Sequence, residues 1–312
     1  MKRKWIRRVS WILLTPVLLF VILMILLYIP PVQNLLRREV TAYASKATGM
    51  QIQVERIDLR FPLNLLVRGV EVIQQPDTLL SLESLNVRVQ AWPLVKGKVE
   101  VDEVTLSQVA FNSANLIEGM KIKGVLGRFF LQSHGVDLSN ELAVINQTEL
   151  SDTHVQMLMN DTTTTPKDTT ASAPVNWKVD LHKLKLKNVS FSMQLPADSM
   201  RMAAHIGEAF INDAQADLKN QFYELKQFLL SGSSANYDTG AAKPGEGFDA
   251  SHIAVRDIRI GLDSLLYKGR DMNAVIREFS MNERSGLSIT SLTGRAFSND
   301  SIIRIPGIKL QT

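Results

Sequence analysis

The five histidines, His134, His154, His182, His205 and His252, are the side chains best placed to transfer protons or bind metal near neutral pH. They lie far apart and none has the spacing of a helical zinc site. His134 with Asp137 is the nearest approach to a ligand pair. Its position beside Gly135 reads instead as a solvated loop. Asp102, Glu103 and Asp257 fall at outward positions of alternating segments, where a solvated face accounts for them. The chain has no cysteine, so disulfides, thiolate metal sites and a cysteine nucleophile are excluded. It contains no Gly-x-Gly-x-x-Gly, no phosphate-binding loop and no Gly-x-Ser-x-Gly elbow. Catalysis needs nucleophile, base and orienting group to converge, and no such set is nominated. The chain is expected to be a non-enzyme with no catalytic, cofactor or metal site.

What remains is apolar, and its spacing is regular. Leu65, Val67, Val70 and Val72 follow the pattern apolar-x-apolar-x-x-apolar-x-apolar. The pattern returns at Leu80, Leu82, Leu85 and Val87, and at Val104, Leu106, Val109 and Phe111. Later copies are Leu184, Leu186, Val189 and Phe191, then Tyr223, Leu225, Phe228 and Leu230, then Ile253, Val255, Ile258 and Ile260. An imperfect copy at Leu287, Ile289 and Leu292 ends in Gly294. On a helix the four positions would point near 0°, 200°, 140° and 340°, which is no single face. On a strand each pair shares a face, and the double polar step reverses the phase. A one-residue bulge or bend at that step would restore a common apolar face. The copies are unevenly spaced, which argues against a fixed-period solenoid.

The elements that hold this pattern begin with an anchor. Residues 9–36 carry no charge, and Val9 to Ile29 supplies the roughly 20 apolar residues of a membrane-spanning helix. A cleaved signal peptide would have a core of about 7–15 residues, and the nearest small-x-small triplet, Ala42-Tyr43-Ala44, lies beyond Arg37, Arg38 and Glu39. The five cations before the run, Lys2, Arg3, Lys4, Arg7 and Arg8, set a cytoplasmic N-terminus. They also account for the apparent basicity. The rest of the chain holds 30 Lys and Arg against 31 Asp and Glu, so no basic field remains to bind nucleic acid. The expected location is therefore the plasma (inner) membrane, single-pass, with the bulk across it.

The expected organisation is a cytoplasmic basic segment at 1–8, a transmembrane helix at 9–30 and an amphipathic helix at 31–49. A first β segment follows at 50–159, then a Thr/Ser/Pro-rich linker at 160–176 and a second β segment at 177–312. In the short helix Val32, Leu36, Val40, Tyr43 and Ala47 recur at helical spacing, with Gly49 as the stop. That apolar stripe could lie on the bilayer, but the small basic face favours packing on the following domain. Leu218, Phe222, Leu225 and Leu229 also suit a helix. The repeat running through them favours a hairpin turning at Lys219-Asn220-Gln221. Glycines 232, 240, 245 and 247 with Pro244 mark a flexible loop at 231–250.

The order of several degenerate pieces then becomes informative. A basic start and one span lead through Ala47-Thr48-Gly49 into Val54-Glu55-Arg56-Ile57-Asp58-Leu59-Arg60-Phe61-Pro62-Leu63. Val67-Arg68-Gly69-Val70-Glu71-Val72, Leu82-Glu83-Ser84-Leu85-Asn86-Val87-Arg88-Val89 and Trp92-Pro93-Leu94-Val95-Lys96-Gly97-Lys98-Val99 follow. Over roughly residues 1–130 this resembles the N-terminal region of the AsmA-like family, its TamB branch above all. The resemblance implies an elongated, taco-like antiparallel β-groove with an apolar lining, anchored in the inner membrane and lying in the periplasm. It implies phospholipid movement between membranes and outer-membrane biogenesis, with phospholipid acyl chains as ligands. It also implies a TamA-like outer-membrane β-barrel as a partner. TamB-like proteins are much longer, so the second β segment is expected to continue beyond this chain or to act beside others.

Under that implication the candidate lining is Val67, Val70, Val72, Leu106, Val109, Phe111, Leu186, Val189 and Phe191. The same residues would serve as ordinary core in a closed sandwich, and the sequence leaves open and closed arrangements undecided. Two readings of the function follow: a lipid-conducting groove, or a non-conducting scaffold for outer-membrane protein assembly or secretion. An anchored exported enzyme is a distant third.

Overall fold

The computed structural model describes residues 29–61, 63–90, 92–93, 100–137, 140–159, 176–240 and 243–312. The basic N-terminal segment, the apolar run at 9–28 and nearly all of the linker at 160–176 lie outside the described residues. Among the described residues no helix is long and apolar enough to cross a membrane.

The first element is helix α1 (Pro30–Thr48), with Pro30 and Pro31 in its first turn, where a missing N–H costs nothing. It ends at Gly49 in the left-handed conformation (φ 70°), whose N–H bonds the Ser45 carbonyl, as the sequence anticipates. Strands follow: β1 (Gln51–Arg60), β2 (Asn64–Gln74), β3 (Asp77–Val89), β4 (Val101–Asn112), β5 (Met120–Asp137) and β6 (Leu142–Met159). Then come β7 (Lys178–Leu195), β8 (Met200–Asp217), β9 (Phe222–Asp238), β10 (His252–Lys268) and β11 (Asp271–Glu283). Short strands β12 (Ser288–Ile289), β13 (Ser291–Ser298), β14 (Ile303–Arg304) and β15 (Lys309–Gln311) close the far edge. All belong to one sheet whose order follows the chain from β1 to β11, then β13 and β14.

The mainly β expectation holds, and so does the hairpin between β8 and β9, which turns at residues 218–221. Three expectations change. The sheet is not wholly antiparallel: β6 and β7 pair in parallel from Leu142↔Lys178 to Leu158↔Gln194. Parallel neighbours need a connection that returns the length of the strand. The 18 residues between Met159 and Lys178 meet that need where a hairpin turn would not. Secondly, the loop expected at 231–250 begins later, because β9 runs on to Asp238. Gly232 (φ 60°) marks a bend within the strand, and its backbone lies against Gly207 of β8.

The third change concerns α1. Its hydrogen bonds to β1 come from polar side chains outside the expected apolar stripe. Gln33 Nε2 donates to the Leu59 carbonyl (3.1 Å), Arg37 Nη1 donates to the Glu55 carbonyl, and the Ile52 N–H donates to Ser45 Oγ (3.1 Å). An edge strand offers unpaired carbonyls and N–H groups, so polar side chains cover it better than leucines would. Val40 and Tyr43 face solvent instead.

No second layer packs on this sheet among the described residues. Extensive contacts run only between strand neighbours and between α1 and β1. No described side chain is fully buried, and the buried apolar residues are only Leu79, Leu82, Ala143, Leu195, Ala209 and Ala274. A closed sandwich with two facing sheets would bury many more.

Candidate functional site

Strand pairing turns the repeats into rows. Residues directly opposite on neighbouring strands project from the same face. One row reads Ile57, Val67, Leu85, Leu106, Phe129, Leu150, Leu186, Ala209, Leu230, Ile260 and Phe279, one residue from each of β1 to β11. Every member is apolar. A second row reads Leu59, Leu65, Val87, Val104, Leu131, Thr148, Leu184, Ile211, Phe228, Leu262 and Ile276. At about 4.8 Å per strand, each row spans roughly 50 Å.

The nine candidate lining residues fall into three rows in the same order. Val67, Leu106 and Leu186 belong to the first row above. Val70, Val109 and Val189 share a row with Val54, Leu82, Leu126, Thr153 and Ile206. Val72, Phe111 and Phe191 share one with Ile52, Leu80, Gly124, Val155 and Ala204. Eight of the nine are half-buried, and Phe191 is 38% exposed. That is the exposure of side chains that touch their row neighbours with no layer above them among the described residues.

The double polar step lies between these rows, and there the backbone turns left-handed. Gly69 (φ 57°), Gln108 (φ 50°), Asp152 (φ 51°), Asn188 (φ 52°) and Asp257 (φ 54°) occupy it in β2, β4, β6, β7 and β10. One such residue between two extended stretches resets the alternation, so apolar side chains on either side share a face. Registers stay one-to-one across it from β1 to β8, placing Glu55, Gly69, Glu83, Gln108, Gly127, Asp152, Asn188 and Gly207 side by side. The approach is close: a Cβ on Gly127 would sit 2.7 Å from the Asp152 Cβ, and one on Gly207 would sit 2.5 Å from the Gly232 carbonyl oxygen. Glycine is needed at both places because there is no room for more.

Sequence reasoning missed β5 and β6 as lining strands. Both carry the same spacing in altered residues: Gly124, Leu126, Phe129 and Leu131 in one, Thr148, Leu150, Thr153 and Val155 in the other. Counting Gly and Thr as permitted members of the pattern would have found them. Further along, Val179, Leu181, Ala214, Tyr223, Leu225 and Leu265 line a hollow of about 230 Å³. Tyr223 and Tyr267 meet there with ring centroids 5.8 Å apart.

The polar groups lie on the other face or at strand ends. Arg88 pairs with Glu103, and Gln90 Nε2 donates to Asp102 Oδ1 (2.5 Å). Arg128 reaches Glu149 and lies over the Phe130 ring. His134 is exposed within β5 rather than in a loop, its Nδ1 3.0 Å from Asn146 Nδ2. Asp257 accepts from Asn282, Arg277 pairs with Asp263 (3.0 Å), and Asp213 bridges His182 (3.2 Å) and Lys226 (3.6 Å). The His182 hydrogen bond, then the Lys226 charge, hold the Asp213 carboxyl below its usual value. Backbone N–H groups of Gly245 and Ser251, with His252, lower Asp249 in the same way. These are paired surface groups. Among the described residues no three His, Asp or Glu side chains form a metal-binding cluster.

No protein-family model matches the chain, and no curated protein matches it either.

Proposed function

We propose that this chain is an inner-membrane-anchored β-groove protein of the periplasm, which carries phospholipid acyl chains between membranes in outer-membrane biogenesis. The observation that carries the reading is the row from Ile57 to Phe279, apolar across eleven strands, beside rows interrupted only by Thr or Gly, on a sheet with no covering layer among the described residues. Such a surface is costly to leave in water. Apolar burial is worth about 25 cal/mol per Å², or about 0.8 kcal/mol per methylene. An acyl chain laid along a row satisfies that surface with no polar recognition, consistent with the lack of a metal-binding polar cluster among the described residues. The first row runs from strand to strand, so a chain moving along it meets an apolar side chain at every step. The anchor is the uncharged run at 9–29, and the side of the membrane follows from its five preceding cations. The curvature that closes the sheet into a taco and the TamA-like partner come from the AsmA-like resemblance.

Native mass spectrometry of the full chain in mild detergent tests the reading. Bound phospholipid that is lost when Leu106 and Leu186 are both changed to Asp is the expected result. Lipid-free protein with an intact sheet would overturn it, and would leave the non-conducting scaffold for outer-membrane assembly as the function.

A further inference from the structure

Helix α1 presents its apolar residues outward. Leu35 (58% exposed), Val40 (53%) and Tyr43 (77%) lie on the arc turned away from β1, while Gln33, Arg37 and Ser45 hold the edge strand. The turn after β1 adds Phe61, 84% exposed. It stands close to the start of α1, because Gln33 reaches the Leu59 carbonyl. Ahead of α1 the uncharged run of Val9 to Ile29 ends at the residue that precedes Pro30. The chain outside the described residues therefore ends, as an apolar segment, at the first turn of a helix with an uncovered apolar arc.

We infer that α1 lies flat at the lipid–water interface, with Leu35, Val40, Tyr43 and Phe61 entering the headgroup region. This rests on the anchored reading above. Charged neighbours set a shallow depth: Glu39 and Lys46 share the arc and Arg38 flanks it. Long side chains at such positions extend their charged ends back to water, so the helix rides at the interface and does not sink. The consequence concerns the sheet. Gln33 meets Leu59, Arg37 meets Glu55 and Ser45 meets Ile52, so α1 and β1 run side by side in opposite directions. A flat α1 lays β1 parallel to the membrane. The apolar rows, which cross the strands, then rise away from the bilayer and begin at its surface with Ile52, Val54, Ile57 and Leu59.

The absence of native cysteine allows single labels without background. The full chain, reconstituted in phosphatidylethanolamine and phosphatidylglycerol vesicles, would carry a nitroxide at Val40→Cys, Tyr43→Cys or Phe61→Cys. Ile303→Cys at the far edge and Leu18→Cys in the apolar run are the references. Oxygen collisions should exceed those of a water-soluble nickel reagent several-fold at 40, 43 and 61, with the reverse at 303. A lipid-like label at 18 with water-like labels at 40 and 43 overturns this inference while the anchored reading stands, and leaves the arc to a protein partner. A water-like label at 18 overturns both.

Discussion

The two faces of this sheet are built from the same strands and have opposite chemistry. One carries a row that stays apolar from β1 to β11, with neighbouring rows interrupted only by Thr or Gly. The other carries paired charges: Arg88 with Glu103, Arg128 with Glu149, Asp213 with His182 and Lys226, Arg277 with Asp263. Simple alternation would not have kept them apart over strands of up to 18 residues, because the double polar step reverses the phase. The left-handed residues at that step keep the faces distinct. Five strands, β2, β4, β6, β7 and β10, carry such a residue, in a sheet whose apolar side has no protein partner among the described residues.

The largest effect should come from putting charge into the apolar rows. With Leu106 and Leu186 both changed to Asp, retained phospholipid should fall about tenfold or more by native mass spectrometry, since a bare carboxylate against hydrocarbon costs several kcal/mol. Lys187→Asp, on the polar face one residue from Leu186, should leave retention unchanged. Equal losses in the two proteins would erase the distinction between the faces.

Next is the seam that separates the face-resetting steps. Gly207→Val places side-chain atoms where the Gly232 carbonyl already stands. It should lower stability by about 2 kcal/mol or more in urea unfolding, as overpacking against backbone does. A smaller change is expected in the opposite direction at Gln108, a long side chain held at φ 50°. Gln108→Gly should stabilise by about 1 kcal/mol, the left-handed penalty for an ordinary residue. Asn188→Gly should gain less, because Asn tolerates that region and its amide bonds Asp152 (2.8 Å).

The smallest effect is electrostatic. Asp213 and Asp249 have folded-state values below their ordinary ones. Their contribution is fully present above the unfolded carboxylate value, near pH 4, and is lost as pH falls through the lower folded value. Asp213→Asn should flatten the acid limb of a stability–pH curve slightly, because the pair is solvated. An unchanged limb would show that the chain of charges on the polar face contributes nothing measurable.

Much of this was legible beforehand. The repeat at Leu184, Leu186, Val189 and Phe191 excludes a helix by angle alone, and the need for a bend at its double step follows from strand geometry. Asn188 is where that bend occurs. Gly49 as a helix stop and the turn at 218–221 were legible too, because both are local. The lining strands β5 and β6 were not, since Gly124 and Thr148 stand where the pattern has large apolar residues. Their role appears only when register sets them beside Phe111 and Leu131.

The sequence by itself determined which residues alternate, where the alternation resets and which termini of elements are capped, all from forces acting within a few residues. Tertiary structure alone decided the rest. Whether half-apolar strands face a second sheet or stay single depends on what meets across about 10 Å. The parallel meeting of β6 and β7 depends on a long return. The side α1 turns to β1 depends on unpaired edge groups, which only an assembled sheet possesses.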